Sequence, residues 1–220
     1  MTSLGNTTAF IAVILSTRRS YIPAQVKSLV VAPIKGYEVF TPIWEVDLSP
    51  YGPRVTLSGS VEEVYHQVLQ LNPQYEQNTS WTSTAREPPQ VSMSSKLAQS
   101  QSPKHVTDWS LGATLCGRWS ATPVRRIREG IRYLRRIRGQ PKSQAGPAQC
   151  GRVSCAYDSA IWWCNDDHRP KALSSFASIA DGAQLLVKRC VEWMNPQPDA
   201  IGGQAFHPHK WNVIIRGDKC

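Results

Sequence analysis

Gly151-Arg152-Val153-Ser154-Cys155-Ala156-Tyr157-Asp158-Ser159-Ala160-Ile161-Trp162-Trp163-Cys164-Asn165 sets the fold class of this chain. β-Branched and aromatic side chains dominate it, and these suit extended, half-buried backbone. It reads as two short strands, or as one bent strand, with a turn at Asp158-Ser159. Segments of helical period stand on both sides. Upstream, Val124, Ile127, Ile131 and Leu134 fall on one helical face. Thr122 is expected to cap that helix, with Pro123 at its first position, where no amide donor is needed. Gly139 is expected to end it, and residues 140–149 read as a loop rich in Pro, Gly and Ser. Downstream, Ser174 or Ser175 is expected to cap a second helix. Its Phe176, Ile179, Ala180, Ala183, Leu186 and Val187 recur at three- and four-residue spacing and carry Cys190 onto the core face. Residues 191–199 read as a loop. Residues 202–206 and 211–215 then read as strands of a hairpin joined by His207-Pro208-His209-Lys210. The expected fold is α+β: a small disulfide-bonded antiparallel sheet with two helices packed on one face.

Ahead of this block, residues 37–75 read as a small ββα module. Ile43-Trp44-Glu45-Val46-Asp47-Leu48 alternates, Ser49-Pro50-Tyr51-Gly52-Pro53 turns, and Arg54-Val55-Thr56-Leu57 returns. Ser60 and Glu63 form a capping box for a helix with Val61, Val64, Tyr65, Val68 and Leu71 as its apolar stripe, ended by Asn72-Pro73. Residues 76–110 read as a disordered linker of Ser, Thr, Gln and Pro without periodicity. Residues 111–220 form the basic six-cysteine domain. A neutral module tethered to a basic one suggests a pro-segment; a two-domain protein with a flexible joint is the plainer account.

Cysteine and charge divide the chain at the same place. Cys116, Cys150, Cys155, Cys164, Cys190 and Cys220 all lie in the last 105 residues. Residues 1–115 carry 8 basic and 8 acidic side chains, and residues 116–220 carry 17 and 8, so the whole net charge of +9 sits with the cysteines. An even cysteine number confined to one half reads as three disulfides in an oxidising compartment. Cys116 is expected to reach the second helix or the final strand, while Cys155 and Cys164 find partners among Cys150, Cys190 and Cys220. Residues 1–36 read as a degenerate secretion signal or disordered segment, with the apolar run Ala9-Phe10-Ile11-Ala12-Val13-Ile14-Leu15 but Arg18-Arg19 where a small-residue cleavage site belongs. Asn6-Thr7-Thr8 and Asn78-Thr79-Ser80 are glycosylation sequons. The expected localisation is extracellular.

Seven arginines crowd the first long helix and its end: Arg125, Arg126, Arg128, Arg132, Arg135, Arg136 and Arg138, against one acid, Glu129. Guanidinium groups match phosphate and carboxylate. A solvated basic outer face is the plainer account. A binding surface for an anionic partner is expected on Arg125, Arg128, Arg132, Arg135 and Arg136. One of Trp162 and Trp163 is expected in the core and the other exposed or covered by a helix. His207, His209 and the Asp166-Asp167-His168 cluster lack the further ligands of a zinc site, and no nucleophile elbow, phosphate loop or zinc-protease motif is present. No catalytic residue, metal or cofactor is assigned. Arg216-Gly217-Asp218 spells an adhesion tripeptide at a position that strand-end packing explains.

The block from Cys150 to Cys220 carries Cys150-Gly151-Arg152-Val153-Ser154-Cys155, Ala160-Ile161-Trp162-Trp163-Cys164-Asn165-Asp166, Gly202-Gly203-Gln204 and Trp211-Asn212-Val213-Ile214-Ile215-Arg216-Gly217-Asp218-Lys219-Cys220. In these motifs, and in its earlier module, the chain resembles a large group of secreted cysteine-containing proteins of filamentous fungi, a group from which no activity carries over. More distantly its layout resembles fungal killer toxins of the KP4 type and related effector-like proteins. Those are small basic α+β sandwiches closed by disulfides and ending in a hydrophobic strand and a final cysteine; this chain has fewer cysteines and a longer N-terminal half. The resemblance implies a secreted, non-enzymatic effector or killer-toxin-like protein. It would act as a monomer on an anionic cell-surface, membrane or channel target, with nucleic acid the less favoured partner. The alternatives are a secreted hydrolase or nuclease working at Asp166/His168 or His207/His209, and a membrane-active protein working through the arginine helix.

Overall fold

The structure, a computed structural model, describes residues 30–50, 52–77, 109, 112–192 and 196–220. In chain order its elements are β1 (Glu38–Phe40), β2 (Ile43–Asp47), β3 (Arg54–Ser58), α1 (Val61–Leu71), β4 (Thr114–Cys116), β5 (Thr122–Pro123), α2 (Val124–Arg136), β6 (Gly139–Lys142), β7 (Gln149–Ala156), β8 (Ser159–Asn165), α3 (Ala177–Glu192), β9 (Ala200–Ile201), β10 (Gly203–His207) and β11 (Trp211–Gly217). The fold is α+β. A six-stranded sheet runs β1-β7-β8-β11-β10-β4, a three-stranded one β3-β2-β6, and β5 pairs with β9. All pairings are antiparallel except β1 with β7.

The block read as strand, turn and strand is the β7–β8 hairpin. Its turn sits at Tyr157-Asp158, one residue before the expected place. Both residues have positive φ, 52° and 54°, the sign that a two-residue hairpin turn needs to match strand twist. A bulge between Arg152 and Ser154 shifts the register. Every residue of β8 is buried, because the sheet is covered on both faces. Trp163 faces the helix side, edge-on to Phe40 at 6.1 Å and grouped with Val213, Ile215 and Ile179. Trp162 faces the other side, grouped with Ile214, Val30, Ile34, Tyr37 and Trp119. The cover over Trp162 is therefore loop and N-terminal chain, where the sequence suggested a helix or solvent. Its indole N–H donates to Asp218 Oδ2 at 3.0 Å.

The apolar faces of α2 and α3 are buried as their periodicity predicts, Ile127, Leu134, Ile179 and Leu186 among them. Two helix starts differ from expectation. Pro123, not Thr122, occupies the N-cap of α2 and provides no side-chain cap bond; the Thr122 hydroxyl donates instead to Ser159 Oγ at 2.5 Å. At α3, Ser175 Oγ accepts the Ala177 N–H at 3.1 Å, just ahead of the first helical turn. α1 has the reciprocal Ser60–Glu63 capping box. Leu71, assigned to its apolar stripe, is 56% exposed instead. The last turn of α1 runs past the layer that covers Val61, Val64, Tyr65 and Val68.

The segment read as the loop 140–149 begins with a strand. β6 pairs with β2, Trp44 opposite Pro141. A proline lacks the ladder donor, and the Pro141 carbonyl turns its bonding to the Leu173 N–H at 3.1 Å. The ββα segment thereby joins the cysteine-bearing half through two ladders, β2 with β6 and β1 with β7. Trp44 is fully buried, donates to the Gly59 carbonyl at 2.7 Å and stacks on Phe176. The loop 191–199 leads into the short strand β9. Residues 1–29 and 78–108, which carry the candidate signal, both sequons and most of the linker, lie outside the described residues. Residues 30–36 are described and place Val30 and Ile34 against the outer sheet face. Tyr75–Gln77 forms a short 3-10 turn.

All six cysteines are paired: Cys116–Cys190, Cys150–Cys164 and Cys155–Cys220. The first ties strand β4 to helix α3, the second links directly opposed positions of β7 and β8, and the third anchors the chain end to the hairpin. Among the described residues no helix is long and apolar enough to cross a membrane.

Candidate anionic-partner surface

α2 buries Val124, Ile127, Gly130, Ile131 and Leu134. At 3.6 residues per turn, the opposite arc holds Arg125, Arg128, Arg132, Arg135 and Arg136, and all five are exposed. The helix ends at Arg136, so Arg138 lies beyond it; its backbone N–H donates to the Tyr75 hydroxyl oxygen at 2.7 Å.

The five arginines divide by partner. Arg135 meets Asp181 of α3 at 2.9 Å and Arg136 meets Glu76 at 3.2 Å, both pairs about half exposed. Exposed pairs of this kind contribute about 0–1 kcal/mol. The side chains of Arg125, Arg128 and Arg132, at i, i+3 and i+7, have no hydrogen bond or ion pair with another described residue. Like charges one turn apart destabilise a helix slightly, so the packed apolar face of α2 is what holds this array in place. Arg126 leaves the stripe. It pairs with Glu129 at 2.9 Å and lies 3.6 Å over the Tyr157 ring at the hairpin tip.

That turn of α2 forms one wall of a cleft whose other walls are α1 and the β7–β8 hairpin. Glu62, His66, Arg126, Arg132, Ser154 and Tyr157 all line it. Glu62 accepts the Ser154 hydroxyl at 2.5 Å and the Cys155 N–H at 3.2 Å. Sequence reasoning missed this grouping. Glu62 and Ser154 lie 92 positions apart, and no local pattern ties them together.

Several members of the polar clusters considered for catalysis are bonded within the fold. Asp166 accepts the Tyr37 hydroxyl at 2.9 Å through one oxygen and the Asn212 amide at 2.7 Å through the other. The carboxylate and burial together push the Tyr37 hydroxyl up to about 12, burial being the larger cause. Asp167 is held by Lys171 at 3.4 Å, and His168 is exposed. His207 is buried, stacked on Trp211 at 4.5 Å, and its Nδ1 accepts the His209 N–H at 3.2 Å. Asp218 of the Arg-Gly-Asp tripeptide is engaged by Trp162. No group of three or more His, Cys, Asp or Glu placed to hold a metal occurs among the described residues. Compared with protein-family models, with curated proteins and with solved structures, the chain matches none.

Proposed function

We propose that this chain is a secreted, disulfide-stapled binding protein of the effector or killer-toxin-like kind, and that it docks on an anionic cell surface through the outward arginines of α2. The observation that carries this reading is the stripe of Arg125, Arg128 and Arg132, exposed and without an acidic partner among the described residues. The stripe rides on a helix whose inner face is locked into the core, so presenting its charge needs no ordering of the backbone. Three disulfides favour an oxidising compartment. The engagement of Asp166 by Tyr37 and Asn212 favours binding over hydrolysis.

The test compares the full-length protein with an Arg125→Gln/Arg128→Gln/Arg132→Gln variant on phosphatidylcholine vesicles with and without phosphatidylserine. Each arginine near an anionic surface contributes about 1 kcal/mol, so the triple variant is expected to bind on the order of 100-fold more weakly and with a flatter salt dependence. Equal binding by both proteins, or equal binding to neutral and anionic vesicles, overturns the reading.

A further inference from the structure

The cleft between α1, α2 and the β7–β8 hairpin has a volume of about 510 Å³, within the range of small-molecule sites. Gly130 lines it where α2 meets the hairpin. A Cβ there would stand 2.5 Å from Ser154 Oγ and 3.0 Å from Ile161 Cδ1, so the missing side chain lets α2 settle directly on the hairpin.

The carboxylates in the cleft are already engaged. Both Glu62 oxygens accept from β7, and Glu129 accepts from Arg126. What remains to face a ligand is a set of donors. The Arg132 side chain makes no bond to another described residue, Arg136 pairs with Glu76 and bonds the Tyr65 hydroxyl while staying about half exposed, and His66 is exposed on α1. Arg126 is fixed from two sides, by Glu129 and by the Tyr157 ring, which presets its guanidinium. A guanidinium carries five N–H donors, so Arg126 and Arg136 keep donors beyond those their carboxylates take, and Arg132 and His66 add theirs. Together these donors suit a dianionic group with three terminal oxygens. The rings of Tyr133 and Tyr157 supply flat apolar surface beside these donors, and Tyr157 is 70% exposed at the tip of the turn.

We propose that this cleft is a phosphomonoester site, with the phosphoryl group held by Arg126, Arg132, Arg136 and His66 and the organic body resting against Tyr133 and Tyr157. The site shares Arg132 and Arg136 with the outward arginine face of α2 but not Arg125 or Arg128. The phosphoryl group belongs either to a soluble metabolite or to a lipid headgroup.

The experiment is calorimetric titration of the full-length oxidised protein with phenyl phosphate, benzoate and inorganic phosphate. It is paired with sedimentation on vesicles containing phosphatidic acid or phosphatidylserine. Phenyl phosphate is expected to bind saturably and at least about tenfold more tightly than benzoate. Arg126→Gln and His66→Ala are each expected to weaken it about tenfold, and Tyr157→Ala to weaken phenyl phosphate but not inorganic phosphate. His66 is exposed, so its variant keeps the test sound if Arg126→Gln disturbs folding. Arg125→Gln/Arg128→Gln is expected to leave this binding unchanged, which separates failure of the cleft from failure of the outer stripe. Preference for phosphatidic acid identifies a lipid source; equal binding to both lipids with phenyl phosphate still bound identifies a soluble one. Benzoate equal to phenyl phosphate, no saturable binding, or equal weakening by Arg125→Gln/Arg128→Gln and Arg126→Gln overturns the proposal.

Discussion

The Trp44 indole stacks on the Phe176 ring with centroids 4.9 Å apart and 24° between the planes. Trp44 comes from β2 of the N-terminal module and Phe176 immediately precedes α3, so one aromatic pair seals two parts of the chain into one core. Removing a buried aromatic side chain costs about 3–5 kcal/mol. Trp44→Ala is therefore expected to lower the stability of the entire described fold by that amount. Denaturant unfolding followed by far-UV circular dichroism and tryptophan fluorescence checks it: both probes should shift together in one transition.

The same packing predicts the fate of a nicked chain. All six cysteines pair within residues 116–220, so no disulfide ties the N-terminal module to the rest. The β1–β7 and β2–β6 ladders hold it instead. A protease site introduced within residues 78–108 and cut should leave one species of intact size on gel filtration. The two pieces should separate in urea without reductant. Dissociation in plain buffer would show that the module is held by the linker alone.

Disulfide loss should scale with loop length. Cys116–Cys190 spans 74 residues and Cys150–Cys164 spans 14. Chain-entropy estimates give about 4 kcal/mol for the long loop and about 3 kcal/mol for the short one. Paired Cys→Ser variants measured by urea denaturation should follow that order. Intact mass should rise by six hydrogens on reduction of the native protein, one per cysteine.

Two tyrosines should make the protein alkali-sensitive. Burial, aided by Asp166, raises Tyr37 to about 12, and burial raises Tyr75 to about 12 against the lowering effect of the Arg138 N–H. Between pH 10 and about 12 the unfolded chain has released these protons while the folded chain retains them. Fewer protons on the unfolded state means that stability falls as pH rises through that window and is unaffected below it. Tyr37→Phe should flatten the fall. Ultraviolet titration of tyrosinate should show a late-ionising class that loses one member in this variant.

The helices and the β7–β8 hairpin were legible because their signals are local. Phe176 to Cys190 repeats at the helical period, and Ser60 with Glu63 closes a cap within one turn. The strand at Gly139–Lys142 was not legible. Pro141 and the following Gly and Ser residues read as loop, and only pairing with β2 makes the segment extended. Leu71 misled in the other direction, since its spacing fits the α1 stripe while nothing beyond the helix end covers it. That Arg125, Arg128, Arg132, Arg135 and Arg136 share an exposed face was legible, because a helix fixes which of its own residues share a face; the pairing of Arg135 with Asp181 and of Arg136 with Glu76 was not. The cleft beside it was not, because it joins residues from α1, α2 and the hairpin.

Composition and periodicity alone thus established an α+β chain with a basic, disulfide-paired C-terminal half and an outward row of arginines on one helix. Those properties depend on neighbours within a few turns of backbone, or on simple counting. Folding in three dimensions settled which face of β8 each tryptophan occupies, which cysteines meet, and that the N-terminal strands complete the sheets of the other half. These depend on register and on burial of both faces of a sheet, which contacts between distant segments fix and local sequence does not encode.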